Sequence, residues 1–172
     1  MSSPKQTLIL GVGNVLLGDE GVGVHAVEHL KQFSLPPHVV LVDGGTGGFH
    51  LLSYFEEYSP IILIDATMDG NADGTVRLLR PKFASDFPKT LSAHDIGLRD
   101  LIETAALLST TPPIFLITVS INDIQPMSME LSPAIQQALP NVATAVMNIL
   151  KSENHTSTNG AFLKENQAQR LK

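Results

Sequence analysis

Three continuous apolar runs, residues 7–12, 38–42 and 61–64, each end in glycine, aspartate or both and then give way to a helix-like or turn-rich stretch. That cadence confines the chain to strands buried on both faces and joined by crossover segments, the βαβ plan of an α/β protein. Between the first two runs, residues 22–33 set Val22, Ala26, Val27, Leu30 and Phe33 on one helical face and His25, Glu28, His29 and Gln32 on the other. This is the stripe of a helix laid on a sheet. A second helix is expected over 49–58, closed by Ser59-Pro60, because proline cannot continue it.

Residues 69–74 are dense in turn formers and lead into 75–79, which alternates like a short edge strand, so a mixed sheet is expected. Residues 82–92 read as a surface connection. A helix follows over 95–108 with Ile96, Leu101, Ile102, Ala105 and Leu108 inward, and then a buried strand over 114–119. After a long loop, 120–131, the last helix is announced by Ser132 as N-cap and Pro133 at the first helical position. Pro140 is expected to kink or split it. With 172 residues, 43% of them hydrophobic, the chain suits one domain over 1–150. Residues 151–172 turn polar and are read as a mobile tail or a weak extra helix.

The turn after the first strand, Gly11-Val12-Gly13-Asn14-Val15-Leu16-Leu17-Gly18-Asp19-Glu20-Gly21, has the outline of a phosphate loop with the wrong charge. Asp19 and Glu20 stand where such a loop carries Lys and Ser or Thr, so the turn repels phosphate and attracts a cation. The dinucleotide fingerprint fails because Leu16 occupies its third glycine position. Eleven Lys and Arg against 17 Asp and Glu leave a net charge of -6, which argues against a nucleic-acid partner. Without cysteine, a metal would be held by His, Asp, Glu, carbonyls or water. The amino terminus lacks the pattern of a secretory signal, and no apolar run approaches the roughly 20 residues of a membrane span. A cytoplasmic protein without membrane insertion is therefore expected.

In an open α/β sheet, ligands sit beyond the carboxyl ends of the strands. Acids gather there: Asp19 and Glu20 after the first strand, Asp43 at the end of the second, and Asp65 closing Ile61-Ile62-Leu63-Ile64-Asp65. Each has a structural alternative. Asp19 stands where the N-cap of the first helix belongs, Glu20 suits the first turn's dipole, and Asp43 and Asp65 could bond turn amides. Asp65 is the most informative, since a carboxylate ending so apolar a strand loses hydration unless something pairs with it. His94, between a loop and a helix start, is a candidate nitrogen ligand. Glu, Asp and His with open positions would suit nickel, zinc or manganese, and hydrolysis would be the natural reaction. A competing pattern, His25-Ala26-Val27-Glu28-His29, matches the inverted zinc-peptidase motif, although its residues fall on the helix face opposite the core. No serine-hydrolase elbow occurs.

These residues resemble the hydrogenase maturation endopeptidases, which trim the carboxyl-terminal extension from the large subunit of nickel-iron hydrogenases. The resemblance rests on G-V-G-N-x-L-L-x-D-E over 11–20, D-G-G-T over 43–46, Asp65 in I-D-A, S-x-H over 92–94 and Leu131-Ser132-Pro133. It implies a single-domain, three-layer, phosphorylase/hydrolase-like fold with a twisted, mostly parallel five-stranded sheet between helices. It also implies that Glu20, Asp65 and His94 contact metal and take part in catalysis, with Asp43 nearby affecting substrate handling. The implied metal is nickel already installed in the substrate, the hydrogenase large-subunit precursor. Asp19 is left to cap. A monomer is expected. A non-catalytic, metal-dependent binding module or chaperone would use the same trio, and stands as the alternative beside the zinc peptidase of His25, Glu28 and His29.

Overall fold

The computed structural model describes residues 5–82, 84–86, 88, 98–108 and 112–169. The apolar runs form strands β1 (Thr7–Gly11), β2 (Val39–Asp43) and β3 (Ile61–Thr67), joined by β4 (Val76–Leu79) and β5 (Ile114–Ser120). Their order is β2-β1-β3-β5-β4, parallel except for β4, which lies antiparallel on β5 at one edge. The mixed five-stranded sheet and its short edge strand are as expected. The helices are α1 (Val22–Leu30), α2 (Leu52–Glu57), α3 (Leu98–Leu108) and α4 (Pro133–Gln169).

Alternation along each inner strand divides the core in two. Ile9, Ile62, Ile64, Phe115, Ile117 and Val119 face α1 and α4, where they meet Val22, Ala26, Val27, Leu30, Ile135 and Val146. Leu8, Leu10, Ile61, Leu63, Ile114 and Leu116 face α2 and α3, where they meet Phe55, Leu101, Ile102 and Ala105. A side chain buried this fully contributes about 1.5–3 kcal/mol, so strands covered on both faces carry much of the stability. This explains why β1, β3 and β5 read as unbroken apolar runs.

Two expectations are corrected. α1 ends at Leu30, and Phe33 lies beyond it, exposed and edge-on to His29 instead of in the core. α4 is not split at Pro140 but runs through it. Pro140 and Gln136 are both exposed, so the Gln136 carbonyl that proline leaves unpaired is on the solvent side, while Ala138, Val142 and Val146 hold the inner side to the sheet. α4 continues to Gln169, through the described part of the polar stretch 151–172. The described part of the helix expected over 95–108 starts at Leu98; Ile96 lies outside the described residues. Among the described residues, no helix is long and apolar enough to cross a membrane.

Candidate active site

Strand register brings the acids to one rim. Gly11 at the end of β1 stands beside Asp43 in β2 and Ile64 in β3, so Asp65 projects one residue further. The pairing continues past the strands, with the Val12 amide donating to the Ile64 carbonyl at 3.0 Å and the Gly13 amide to the Gly45 carbonyl at 2.8 Å. α1 is seated directly on these strand ends: a Cβ on Gly23 would lie 2.2 Å from the Val12 carbonyl oxygen and 2.3 Å from that of Ile64. Only a residue without a side chain permits that approach.

Glu20 arrives on a one-turn 3-10 helix, Gly18–Gly21, packed against β3. Gly13 has φ +148°, and a Cβ there would lie 2.2 Å from the Glu20 carbonyl oxygen, so glycine lets the turn fold back on itself. The Asn14 amide donates to Glu20 Oε2 at 2.6 Å. Glu20 is 1% exposed and Asp65 0%. Asp65 Oδ1 accepts the Ala66 amide at 2.8 Å. Asp43 differs in being exposed, and its Oδ1 accepts the Gly45 amide at 2.8 Å, the turn role open to it from sequence. His94 lies outside the described residues.

Asp19 does not cap α1. That helix has Gly21 as its N-cap residue, with no side-chain cap, and Asp19 sits within the 3-10 turn, 3% exposed. Its Oδ1 accepts the Ser132 amide at 2.6 Å, just ahead of α4, and its Oδ2 accepts Gln125 Nε2 at 3.0 Å. Gln125 Oε1 in turn accepts the Asp19 amide at 2.9 Å. These bonds lock the loop after β5 to the turn after β1. Gln125 was missed from sequence because it lies 106 residues from Asp19 and no local pattern marks it. Pro133 does open α4, and the Gln136 amide reaches the Ser132 carbonyl at 2.9 Å.

The inverted zinc pattern does not assemble. Glu28 is exposed and pairs with Lys31 at 2.5 Å, and His29 packs on Phe33. Among the described residues, no three His, Asp or Glu side chains are grouped to hold a metal. His25, expected on a solvated face, is half-buried, and its Nε2 is buried without a hydrogen-bond partner among the described residues. It lines a pocket of about 390 Å³ with Met129, Glu130, Leu131, Gln136 and Leu139. In the β3–β4 loop, burial raises the pKa of Asp69, but hydrogen bonds from Ser120, the Asn71 amide and side chain, and Arg77 outweigh it and hold the carboxyl below its usual value.

The chain is thus an α/β protein whose carboxyl-terminal rim, where ligands of such sheets bind, gathers buried acids beside a glycine turn unsuited to phosphate. Residues 24–149 match the family model for hydrogenase maturation protease, an interval that includes Asp43, Asp65 and His94 and begins after Glu20. The chain belongs to this hydrogenase maturation protease family, and it is a peptidase. It is 34% identical to the hydrogenase 2 maturation protease of Escherichia coli, over 84% of this chain and 90% of that protein. It is likewise 34% identical to the hydrogenase expression/formation protein HupD of Bradyrhizobium diazoefficiens, over 84% of this chain and 78% of the relative. The solved structure of the hydrogenase maturating endopeptidase HybD from E. coli superposes with a TM-score of 0.77 at 32% identity, covering 86% of this chain and 93% of that one.

Proposed function

We propose that this peptidase removes the carboxyl-terminal extension of a nickel-iron hydrogenase large-subunit precursor after nickel insertion, acting as a monomer in the cytoplasm. The observation that carries the reading is the pair Glu20 and Asp65, each at most 1% exposed and delivered to one rim by elements that touch. Buried carboxylates call for a positively charged or hydrogen-bonding complement. With the imidazole of His94, they form a donor set that divalent nickel accepts.

In this reading nickel travels with the substrate and supplies a recognition point beside the scissile bond. Glu20 and Asp65 meet it as charged oxygen donors, held in place by the Asn14 and Ala66 amides. His94 completes the trio. Asp43, exposed at the same rim, is the group best placed to take a proton from the attacking water, because its location leaves it accessible to substrate.

The test incubates the purified protein with nickel-loaded and nickel-free precursor and weighs the products by mass spectrometry. Loss of a carboxyl-terminal peptide from the loaded form alone is expected. Stable complex formation with unchanged mass would instead make the protein a metal-dependent binding module. Asp65→Asn and His94→Ala are each expected to abolish processing while leaving the circular dichroism spectrum intact. Undiminished cleavage by both variants would remove the trio from the mechanism.

A further inference from the structure

The four described loops at the carboxyl ends of the strands, residues 12–21, 44–51, 68–75 and 121–132, contain six acids and no Lys or Arg, although the chain has 11 of those bases. One of the six, Asp69, is neutralised by Arg77 of β4 at 3.2 Å. Asp43 and Asp65 at the strand ends add to the same rim. The loops also expose large apolar side chains: Leu16, Phe49, Met68, Met127 and Met129. Three other large apolar residues are exposed elsewhere on the described surface, namely Phe33, Leu78 and Leu107. Met127 is 96% exposed and held at φ +60°, a conformation uncommon outside glycine, asparagine and aspartate.

The loops are bonded to one another. The Gly18 amide donates to the Ser128 carbonyl at 2.7 Å, and Asn122 Nδ2 reaches the Asn71 carbonyl at 3.1 Å and Asp73 Oδ1 at 2.9 Å. At one edge of this collar lies the pocket lined by His25, Met129 and Glu130, where the buried His25 Nε2 has no hydrogen-bond partner among the described residues.

Resting on the proposed function, we infer that this collar is the docking surface for the precursor protein, and that it takes a segment in which apolar residues are flanked by Lys or Arg. Large apolar side chains exposed on the loops of one rim are the kind of surface that protein partners cover. The absence of any base in the loops selects the sign of the partner, since like charges across an interface are penalised and opposite charges speed encounter. Methionines suit the role because their unbranched side chains adapt to an irregular partner. The His25 pocket accepts a long side chain from that segment, with Met129, Leu131 and Leu139 for its stem and Glu130 and Gln136 for a polar tip.

The experiment measures the Kd of the full-length protein for the purified nickel-loaded precursor, with KM and kcat of processing, across a salt series. Two double variants are compared with wild type: Met127→Ser with Met129→Ser, and Asp123→Asn with Glu130→Gln. Leu107→Ser, on α3, is the control. The methionine pair is expected to weaken Kd and raise KM about tenfold, roughly the effect of losing one buried anchor, with kcat changing far less. The acid pair is expected to flatten the salt dependence of Kd, as removing charges from a steered encounter does. Both Kd values within twofold of wild type, with an unchanged salt slope, would overturn the inference. So would sedimentation in which the methionine pair dissolves a wild-type dimer without altering Kd, which would assign the collar to a second copy of the chain. A wild type that binds no precursor overturns both this inference and the proposed function, whereas collar-dependent binding without cleavage overturns the peptidase mechanism alone.

Discussion

Replacing Gly23 with alanine sets two effects of opposite sign against each other. Alanine is favoured over glycine inside a helix by about 1 kcal/mol, so propensity alone predicts a more stable protein. The added Cβ, however, would lie 2.2 Å from the Val12 carbonyl oxygen and 2.3 Å from that of Ile64. Carbon and carbonyl oxygen normally approach to about 3.3 Å, so α1 would have to lift by about 1 Å. Neither oxygen can swing aside, since both belong to the backbone, Ile64 within β3 and Val12 bonded to it just beyond β1. A gap of that size forfeits about a quarter to a half of the dispersion well for each affected contact. Those contacts belong to Val22, Ala26, Val27 and Leu30, all of them in the core. Overpacking of this kind costs about 1–3 kcal/mol before the lost contacts are counted, which outweighs the propensity gain. We predict a net loss of about 2 kcal/mol or more, read as a lower urea midpoint with unchanged slope. Processing should fall further than stability, because the shift carries the Glu20 turn, and a 1 Å misplacement costs about a hundredfold in rate. A Gly23→Ala variant as stable as wild type would refute the reasoning.

Asp19→Ala removes the acceptor of the Ser132 amide and of Gln125, and with each hydrogen bond contributing about 0.5–1.5 kcal/mol, a loss of about 1–3 kcal/mol is expected. Amide exchange over 121–132 should accelerate, and a stability change below about 0.5 kcal/mol, ordinary for a surface site, would dismiss the clamp. Asp69 has a lowered folded-state pKa, so its contribution is present above the unfolded value and is lost as pH falls through the folded one. Asp69→Asn should therefore narrow its gap from wild type as the pH is lowered through the carboxylate range, and a constant gap across that range would contradict the assignment. Pro140→Ala restores a bond to the exposed Gln136 carbonyl and relieves about 3 kcal/mol of helix penalty, offset by up to about 1 kcal/mol of unfolded-chain entropy. A higher melting temperature is expected, and a fall would mean that the proline shapes the helix to the sheet.

The strands were legible because a strand covered on both faces must be apolar throughout, and Ile61, Ile62, Leu63 and Ile64 are all fully buried. The rim acids were legible for a related reason: parallel register carries the ends of β1, β2, β3 and β5 to the same side. The limits of α1 were not, since Phe33 continues the helical spacing although the backbone has already turned. Asp19 was misplaced because its position beside a helix suggests a cap, whereas its partners come from the far end of the chain. His25 and His29 match a motif letter by letter, yet the pattern cannot tell that one nitrogen enters a pocket while the neighbouring ring meets Phe33. The uninterrupted passage of α4 through Pro140 depends on which way the Gln136 carbonyl faces, a property of tertiary packing rather than of residue type.

The bonds that tie Gly13 to Gly45, Gly18 to Ser128 and Asn122 to Asn71 have a thermodynamic consequence for association. Loops fastened to their neighbours have already surrendered their conformational entropy during folding, so little remains to be lost at encounter. The backbone of this rim is then a fixed template, so that beyond side-chain adjustment at the rim the ordering of an approaching polypeptide sets the entropic cost of the complex.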